Sequence, residues 1–269
     1  MESDPRRRFA EELQGARELH PGRRLTQTDV ALLTRTSKST ISRVESGKGP
    51  IPPELPAILD QALGTDGLFK RLYGEMTAYS FPTTMRRRIE LEQKAVAVWE
   101  WSQSLVPGLF QTPDYARAIL RAGDTRASDA EVTAAVHARL ARQEIFRRPV
   151  PPEARVVLCE SVIHRTLGQR KVMRDQLAAL LSHMERPTTR IRILGLDAEP
   201  HLLMMGEASF IISPNRAVAT CIDTYRATEI VEDARYARRA QRTFEDLVGE
   251  AHSEARSMEL IRAQMETLA

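Results

Sequence analysis

In the first eighty residues apolar side chains recur three and four positions apart, the spacing of helices packed on one face, and no segment reads as a strand. Phe9, Leu13 and Ala16 predict the inward face of a helix over residues 5–19. Thr26 is placed as the N-cap of a second helix whose apolar face is Val30, Ala31 and Leu33. Arg35 and Thr36 form a turn, and Ser37 caps a third helix running to Ser46. Within it Ile41 and Val44 face the core three positions apart, which leaves Lys38, Ser39, Ser42 and Arg43 on the opposite side. Gly47 takes the left-handed position after the last turn. Pro50, Pro52 and Pro53 stop the chain before a fourth helix over residues 53–63, closed by Gly64. A fifth spans residues 68–79 with Leu68, Leu72, Met76 and Tyr79 on one stripe.

Beyond Phe81-Pro82-Thr83-Thr84 the pattern changes, and the boundary between two domains is placed here, giving residues 1–80 and 81–269. The sequence AVAVWEW at residues 95–101 alternates as a strand, with Val96, Val98 and Glu100 on one face and Ala97, Trp99 and Trp101 on the other. Pro107-Gly108 is a turn. Thr112, Pro113 and Asp114 are three successive helix-start signals, followed by Tyr115, Ile119 and Leu120 on one face. Ser128 and Glu131 make a capping box that opens a helix to about residue 148 through Val132, Val136, Leu140, Ile145 and Phe146. Residues 154–159 and 190–194 read as strands flanking a helix over 172–184. Residues 208–212 and 218–222 read as a hairpin around Pro214-Asn215, and residues 229–267 as helical. The fold class is α+β overall: an N-terminal all-α domain of about five helices, then a C-terminal α+β domain with a small, mostly antiparallel sheet and long C-terminal helices.

The third helix carries the chemistry. Two short capped helices joined by a tight turn, the second bearing small polar and basic side chains, suit insertion into the major groove of DNA. Leu25-Thr26-Gln27, Ala31, Ser37, Ser39 to Arg43, Glu45 and Gly47 together resemble the lambda-repressor-like (Xre-type) helix-turn-helix domain. That resemblance implies that Gln27 contacts a phosphate and braces the recognition helix, and that Lys38, Ser39, Ser42 and Arg43 approach base edges or backbone. The set expected at the DNA is Thr26, Gln27, Ser37, Lys38, Ser39, Thr40, Ser42 and Arg43. The family usually has Gly where this chain has Arg35, so the turn is expected to adopt a conformation that a side chain tolerates.

Charge agrees with this division. Residues 1–50 hold 10 Lys and Arg against 7 Asp and Glu; the remaining residues hold 29 of each. The whole net charge of +3 therefore lies on the expected DNA reader. Arg outnumbers Lys by 34 to 5, a bias of GC-rich bacterial genomes. The run Arg86-Arg87-Arg88 reads as the solvated start of a helix ahead of Glu90 and Glu92, with contact to DNA backbone as the alternative. Cys159 and Cys221 lie far apart without metal-ligand spacing and read as buried thiols on strands of a cytosolic protein. No apolar run approaches the ~18 residues of a membrane span, and the charged N-terminus does not read as a signal peptide. The expected location is the cytoplasm, associated with the nucleoid.

The segment LVPGLFQTPDYAR at residues 105–117, RLARQE at 139–144, Met173 with Gln176-Leu177, and residues 218–223 carry a second resemblance covering nearly the whole chain. They resemble an actinobacterial group that couples an Xre-type reader to a C-terminal regulatory domain, including the WhiJ-like developmental regulators and antitoxin-like regulators of the Scr type. Relatives often have Asp-Glu where this chain has Cys159-Glu160, and Val-Leu-Pro where it has Ile193-Leu194-Gly195. The resemblance implies transcriptional control, often beside a gene for a small partner protein. The expected partners are double-stranded DNA and a second copy of the chain, dimerised through the C-terminal domain or its last helices.

The expected signal is a small molecule bound by the C-terminal domain; the alternative is a small protein encoded nearby. Trp99, Trp101, Phe110, Tyr115, Arg139 and Arg142 are the candidates for either contact, with the two tryptophans read first as core. Cys159, Glu160, His164, Asp197, Glu199 and His201 are the residues from which an active or metal site would have to be built. Nothing in their spacing assembles a nucleophile with its base, and no phosphate-binding, hydrolase or zinc-protease motif occurs. The chain is expected to be no enzyme and to carry no cofactor or metal.

Overall fold

The computed structural model describes residues 5–48, 51–52, 54–79, 83–223, 228–231 and 233–268. Pro50, Pro53, Phe81 and Pro82, and the side chains of Tyr79, Thr83 and Thr84, lie outside what is described. The chain forms two compact units, residues 1–81 and 82–269.

The first unit contains α1 (Pro5–Glu18), α2 (Gln27–Leu33), α3 (Lys38–Glu45), α4 (Leu55–Leu63) and α5 (Leu68–Tyr79). Phe9, Leu13, Val30, Ile41, Leu59 and Phe69 are fully buried in one core. Each such side chain stabilises the fold by roughly 1.5–3 kcal/mol through apolar burial. Phe69 stands outside the expected stripe of α5; its ring packs 5.2 Å from that of Phe9 and draws α5 against α1. The Asp60 carboxylate accepts from the amides of Phe69 at 2.9 Å and Lys70 at 3.0 Å, so the positive end of α5 meets a fixed negative charge. Leu33, expected inward, is instead half exposed. Thr34 takes the core position four residues after Val30, with its hydroxyl satisfied by the Val30 carbonyl at 2.7 Å.

The second unit begins with α6 (Thr83–Lys94) and β1 (Ala97–Ser102), then α7 (Pro113–Gly123), α8 (Asp129–Ala141) and β2 (Glu153–Cys159). Next come α9 (Glu160–His164), α10 (Arg170–Met184), β3 (Thr189–Leu194), β4 (Glu207–Ile212), β5 (Val218–Asp223) and β6 (Thr228–Val231). The long helices α11 (Ala234–Glu250) and α12 (Glu254–Thr267) close it. The six strands form one sheet in the order β3-β2-β1-β4-β5-β6. The pairings of β1 with β4, β4 with β5 and β5 with β6 are antiparallel, whereas β1-β2-β3 run parallel. The parallel half follows from the helices inserted after β1 and β2, since a parallel return needs a crossover.

Alternation along the strands divides two apolar layers. Val98, Val156, Leu158, Ile191 and Ile193 pack with Leu177 and Leu180 of α10 and Ile261 of α12. Trp101, Val157, Leu194 and Phe210 pack with Phe244 and Leu247 of α11. The segment 229–267, expected to be helical, begins instead in a strand and continues as two helices. It breaks where the His252 amide donates to the Ile193 carbonyl at 2.9 Å and the Ser257 hydroxyl accepts from the Ile193 amide at 3.0 Å. These bonds cover the outer edge of β3, which would otherwise be an open template for pairing. The expected helix to residue 148 likewise changes after Ala141 to a 3-10 turn, Arg142–Arg147, that brings Arg142 inward.

Candidate nucleic-acid interface and C-terminal pocket

The local signals set the reader's geometry. Thr26 and Asp29 form a reciprocal capping box at the start of α2. The Asp29 carboxyl is held below the usual carboxylate range by Arg23 and by the Thr26 amide and hydroxyl. The Ser37 hydroxyl accepts from the Thr40 amide at 3.0 Å and lies 2.8 Å from the hydroxyls of both Ser39 and Thr40. Ile41 and Val44 anchor the inner face of α3, leaving Lys38, Ser39, Ser42 and Arg43 exposed and Thr40 half exposed. Gly47 follows with φ of 68°.

A side-chain hub fixes α3 against its neighbours. Glu45 at the end of α3 accepts from Arg17 Nε at 2.6 Å and from Gln27 Nε2 at 2.7 Å. Arg17 also donates to the Leu25 carbonyl at 2.9 Å. Glu45 thus ties α1, α2 and α3 together, with Gln27 as its partner from α2. Beside it a cleft of ≈ 490 Å³ is lined by Arg24, Thr26, Gln27, Thr28 and Lys38. Two cations and the start of α2 here face solvent together, an arrangement suited to a phosphate oxygen.

Arg35 corrects one expectation. It has φ of 53°, so the turn keeps the left-handed conformation that favours Gly, and the side chain is accommodated at a conformational cost.

In the second unit several arginines turn out to be interior. Arg88, expected in a solvated run, is buried and donates to Glu92 at 2.9 Å, to Ser209 at 2.8 Å and to Asp223. Arg142 is buried too, donating to Glu92 through Nε at 2.9 Å and Nη2 at 2.7 Å. Arg139 is half buried and donates to Gln111 Oε1 at 2.8 Å; burial, with the nearby Arg142 and Arg88, pulls it down to about 10. Glu100 lies 3.5 Å from Arg88 Nη2 on its other side, and burial pushes its carboxyl up to about 7. These contacts join α6, β1, β4, β5 and the 3-10 turn, so Arg142 is not available as a surface contact.

Phe110 and Tyr115 are likewise fully buried, the Tyr115 hydroxyl oxygen accepting from the Val106 amide at 3.1 Å. Trp99 stacks on Phe244 with centroids 5.7 Å apart, and the Arg155 guanidinium lies over the Trp99 ring, 5.1 Å from its centroid. The six expected contact residues are therefore not brought to one place.

Trp101 lines a pocket. A cavity of ≈ 300 Å³ opens just past the carboxyl ends of β1, β2 and β3, bounded by Trp101, Cys159, Arg165, Leu194, His201 and Met204. This is the end of parallel strands at which open α/β sheets bind ligands. Trp101 Nε1 donates to the Leu203 carbonyl at 2.8 Å, and the His201 ring meets the indole edge-on at 4.8 Å. Burial lowers the His201 pKa, and its Nδ1 is buried with no hydrogen-bond partner. Cys159, expected fully buried, is half exposed here, while Cys221 is buried. His164 points elsewhere, to Gln264 at 2.9 Å and Glu160 at 3.4 Å. Arg165 and His201 carried no sequence signal that would have joined them to Trp101.

Residues 8–71 match the model of a helix-turn-helix domain, a span that contains the capped, exposed α3. The protein is thus a helix-turn-helix DNA-binding regulator. Residues 85–263, more than half the chain, match Domain of unknown function (DUF5753), and the chain belongs to that family. No curated protein and no solved structure was found to match it. Among the described residues no helix is long and apolar enough to cross a membrane, and no three His, Cys, Asp or Glu side chains gather as a metal site.

Proposed function

We propose that this is an Xre-type transcriptional regulator of the actinobacterial WhiJ-like and Scr-type kind, acting in the cytoplasm at the nucleoid. It binds its operator as a homodimer, and a small molecule held by the C-terminal unit controls that binding. Lys38, Ser39, Ser42 and Arg43 meet base edges or phosphates; Thr26, Gln27, Ser37 and Thr40 meet the backbone and hold the helix in register. The observation that carries the regulatory half is the pocket past the carboxyl ends of three parallel strands, with the Trp101 indole and the Arg165 guanidinium among its lining. The protein acts by binding, without catalysis: a ligand released by denaturation should have the mass of the ligand that entered.

A second reading makes the signal a small protein encoded nearby. It is supported by α11, where Arg235, Arg238, Arg239 and Arg242 form an exposed stripe at helical spacing suited to an acidic partner. The test is anisotropy of the protein on its own upstream DNA. Release by a metabolite extract supports the first reading, release by the purified neighbouring protein the second. A specific complex that responds to neither removes both.

A further inference from the structure

The lining of the pocket limits what it can hold. Its residues include no carboxylate, and Arg165 is the single charged side chain among them. Among the described residues the Arg165 guanidinium has no hydrogen-bond or ion-pair partner, although it sits beside a cavity. The other polar groups are mostly engaged. The Ser161 hydroxyl donates to the Gln103 carbonyl at 2.6 Å, Ser104 donates to Glu207 at 3.0 Å, and Trp101 Nε1 is held by the Leu203 carbonyl. What stays open among the lining side chains is the Arg165 guanidinium and the Gln103 amide, while His201 Nδ1 is shielded.

The rest of the surface is apolar or soft: the Trp101 indole, Leu194, Ala198, Met204 and the Cys159 thiol. Leu196 and Met205, exposed by 66% and 91%, extend this character at and near the mouth. A cation entering would meet Arg165 with nothing to balance either charge. A pyrophosphate would bring more charge than one guanidinium and one neutral amide can match. The volume is at the lower end of the roughly 300–1,000 Å³ typical of small-molecule sites.

Building on the effector-binding reading above, we infer that the pocket takes a small organic monoanion with an apolar body. Its carboxylate or equivalent group pairs with Arg165, the Gln103 amide offers one neutral hydrogen bond, and the body lies against Trp101, Leu194 and Met204. Arg suits this role because its planar fork meets a carboxylate through two parallel hydrogen bonds.

The experiment uses the full chain and a panel of aromatic and branched aliphatic carboxylates, each paired with its primary amide. Ligand-observed NMR finds binders, and calorimetry measures the affinities of each pair. The expected result is a preference of tenfold or more for the acids, abolished in Arg165→Gln and partly kept in Arg165→Lys; melting curves check that both variants fold. Equal binding of acid and amide, or a preference that survives Arg165→Gln, overturns the anion inference and leaves the pocket as an effector site. If no member binds at millimolar concentration, the pocket is not an effector site and both readings fall.

Discussion

Arg17 Nε donates to Glu45 Oε1 across 2.6 Å, with both side chains almost wholly shielded from water, and so joins α1 to the last residue of α3. Gln27 from α2 meets the other oxygen of the same carboxylate. Truncating one partner of a buried pair leaves an uncompensated charge and costs about 3–5 kcal/mol. Glu45→Ala is therefore expected to loosen α3 specifically. Amide hydrogen exchange should accelerate over residues 38–45, with DNA affinity falling alongside it. Unchanged protection there would show that apolar packing alone holds the helix.

Arg35 bears a side chain where the backbone turns left-handed. A non-glycine residue in that region costs roughly 1–2 kcal/mol, partly offset in the unfolded chain when Gly replaces it. Arg35→Gly should stabilise the first unit by about 1 kcal/mol, read as slower exchange of its core amides. A loss of stability would mean that the Arg35 side chain makes a compensating contact.

Glu100 predicts an unusual pH response. Its folded pKa, raised by burial to about 7 with Glu92 and Asp223 adding to it against Arg88 and Arg142, lies above the ordinary value of 4.5. The folded state holds this proton more tightly, so its contribution is fully present below about 4.5 and is lost as pH rises through about 7. Glu92 and Asp223 act oppositely: their pKa values are lowered by Arg142 and Arg88, and their contribution is lost as pH falls through the folded values. Glu100→Gln should remove the decline between about 4.5 and 7 and stabilise the second unit at pH 8 by roughly 2–3 kcal/mol. Denaturation of the two proteins at pH 5 and 8 checks this through Trp99 and Trp101. Parallel curves would mean that Glu100 is ionised at little cost.

Homodimerisation predicts a sedimentation coefficient that shifts with micromolar dilution and a Hill slope above one on an operator with two half-sites. A monomer at all concentrations, bound to a single half-site, would remove the dimer from the proposal.

The caps were the most legible part of this chain. Thr26, Ser37, Thr112 and Ser128 each sit at the start of a helix because a cap needs only the next three residues, which the sequence displays directly. What depended on distant partners was hidden. Arg88 read as solvated because Glu100 and Asp223 reach it only through the fold, and Arg142 read as a ligand or partner contact because Glu92, its buried partner, lies fifty residues away. Thr34 rather than Leu33 is buried because a threonine hydroxyl bonded to a carbonyl of the preceding helical turn can be buried without loss. β6 was concealed by an apolar pattern that served equally for a helix. The pocket gathers Trp101, Cys159, Arg165 and His201 from four separate segments, and their approach comes from the strand order, which no local pattern encodes.

The most direct measurement is the anisotropy of the full-length protein on its own upstream DNA and on random duplex, for the native chain and Arg43→Ala. If α3 reads bases through Arg43, the specific complex should weaken by about 1–3 kcal/mol while random DNA is held nearly as before. An equal loss on both duplexes would reduce Arg43 to a phosphate contact, and the absence of any preference for the upstream DNA would contradict specific reading by α3 altogether.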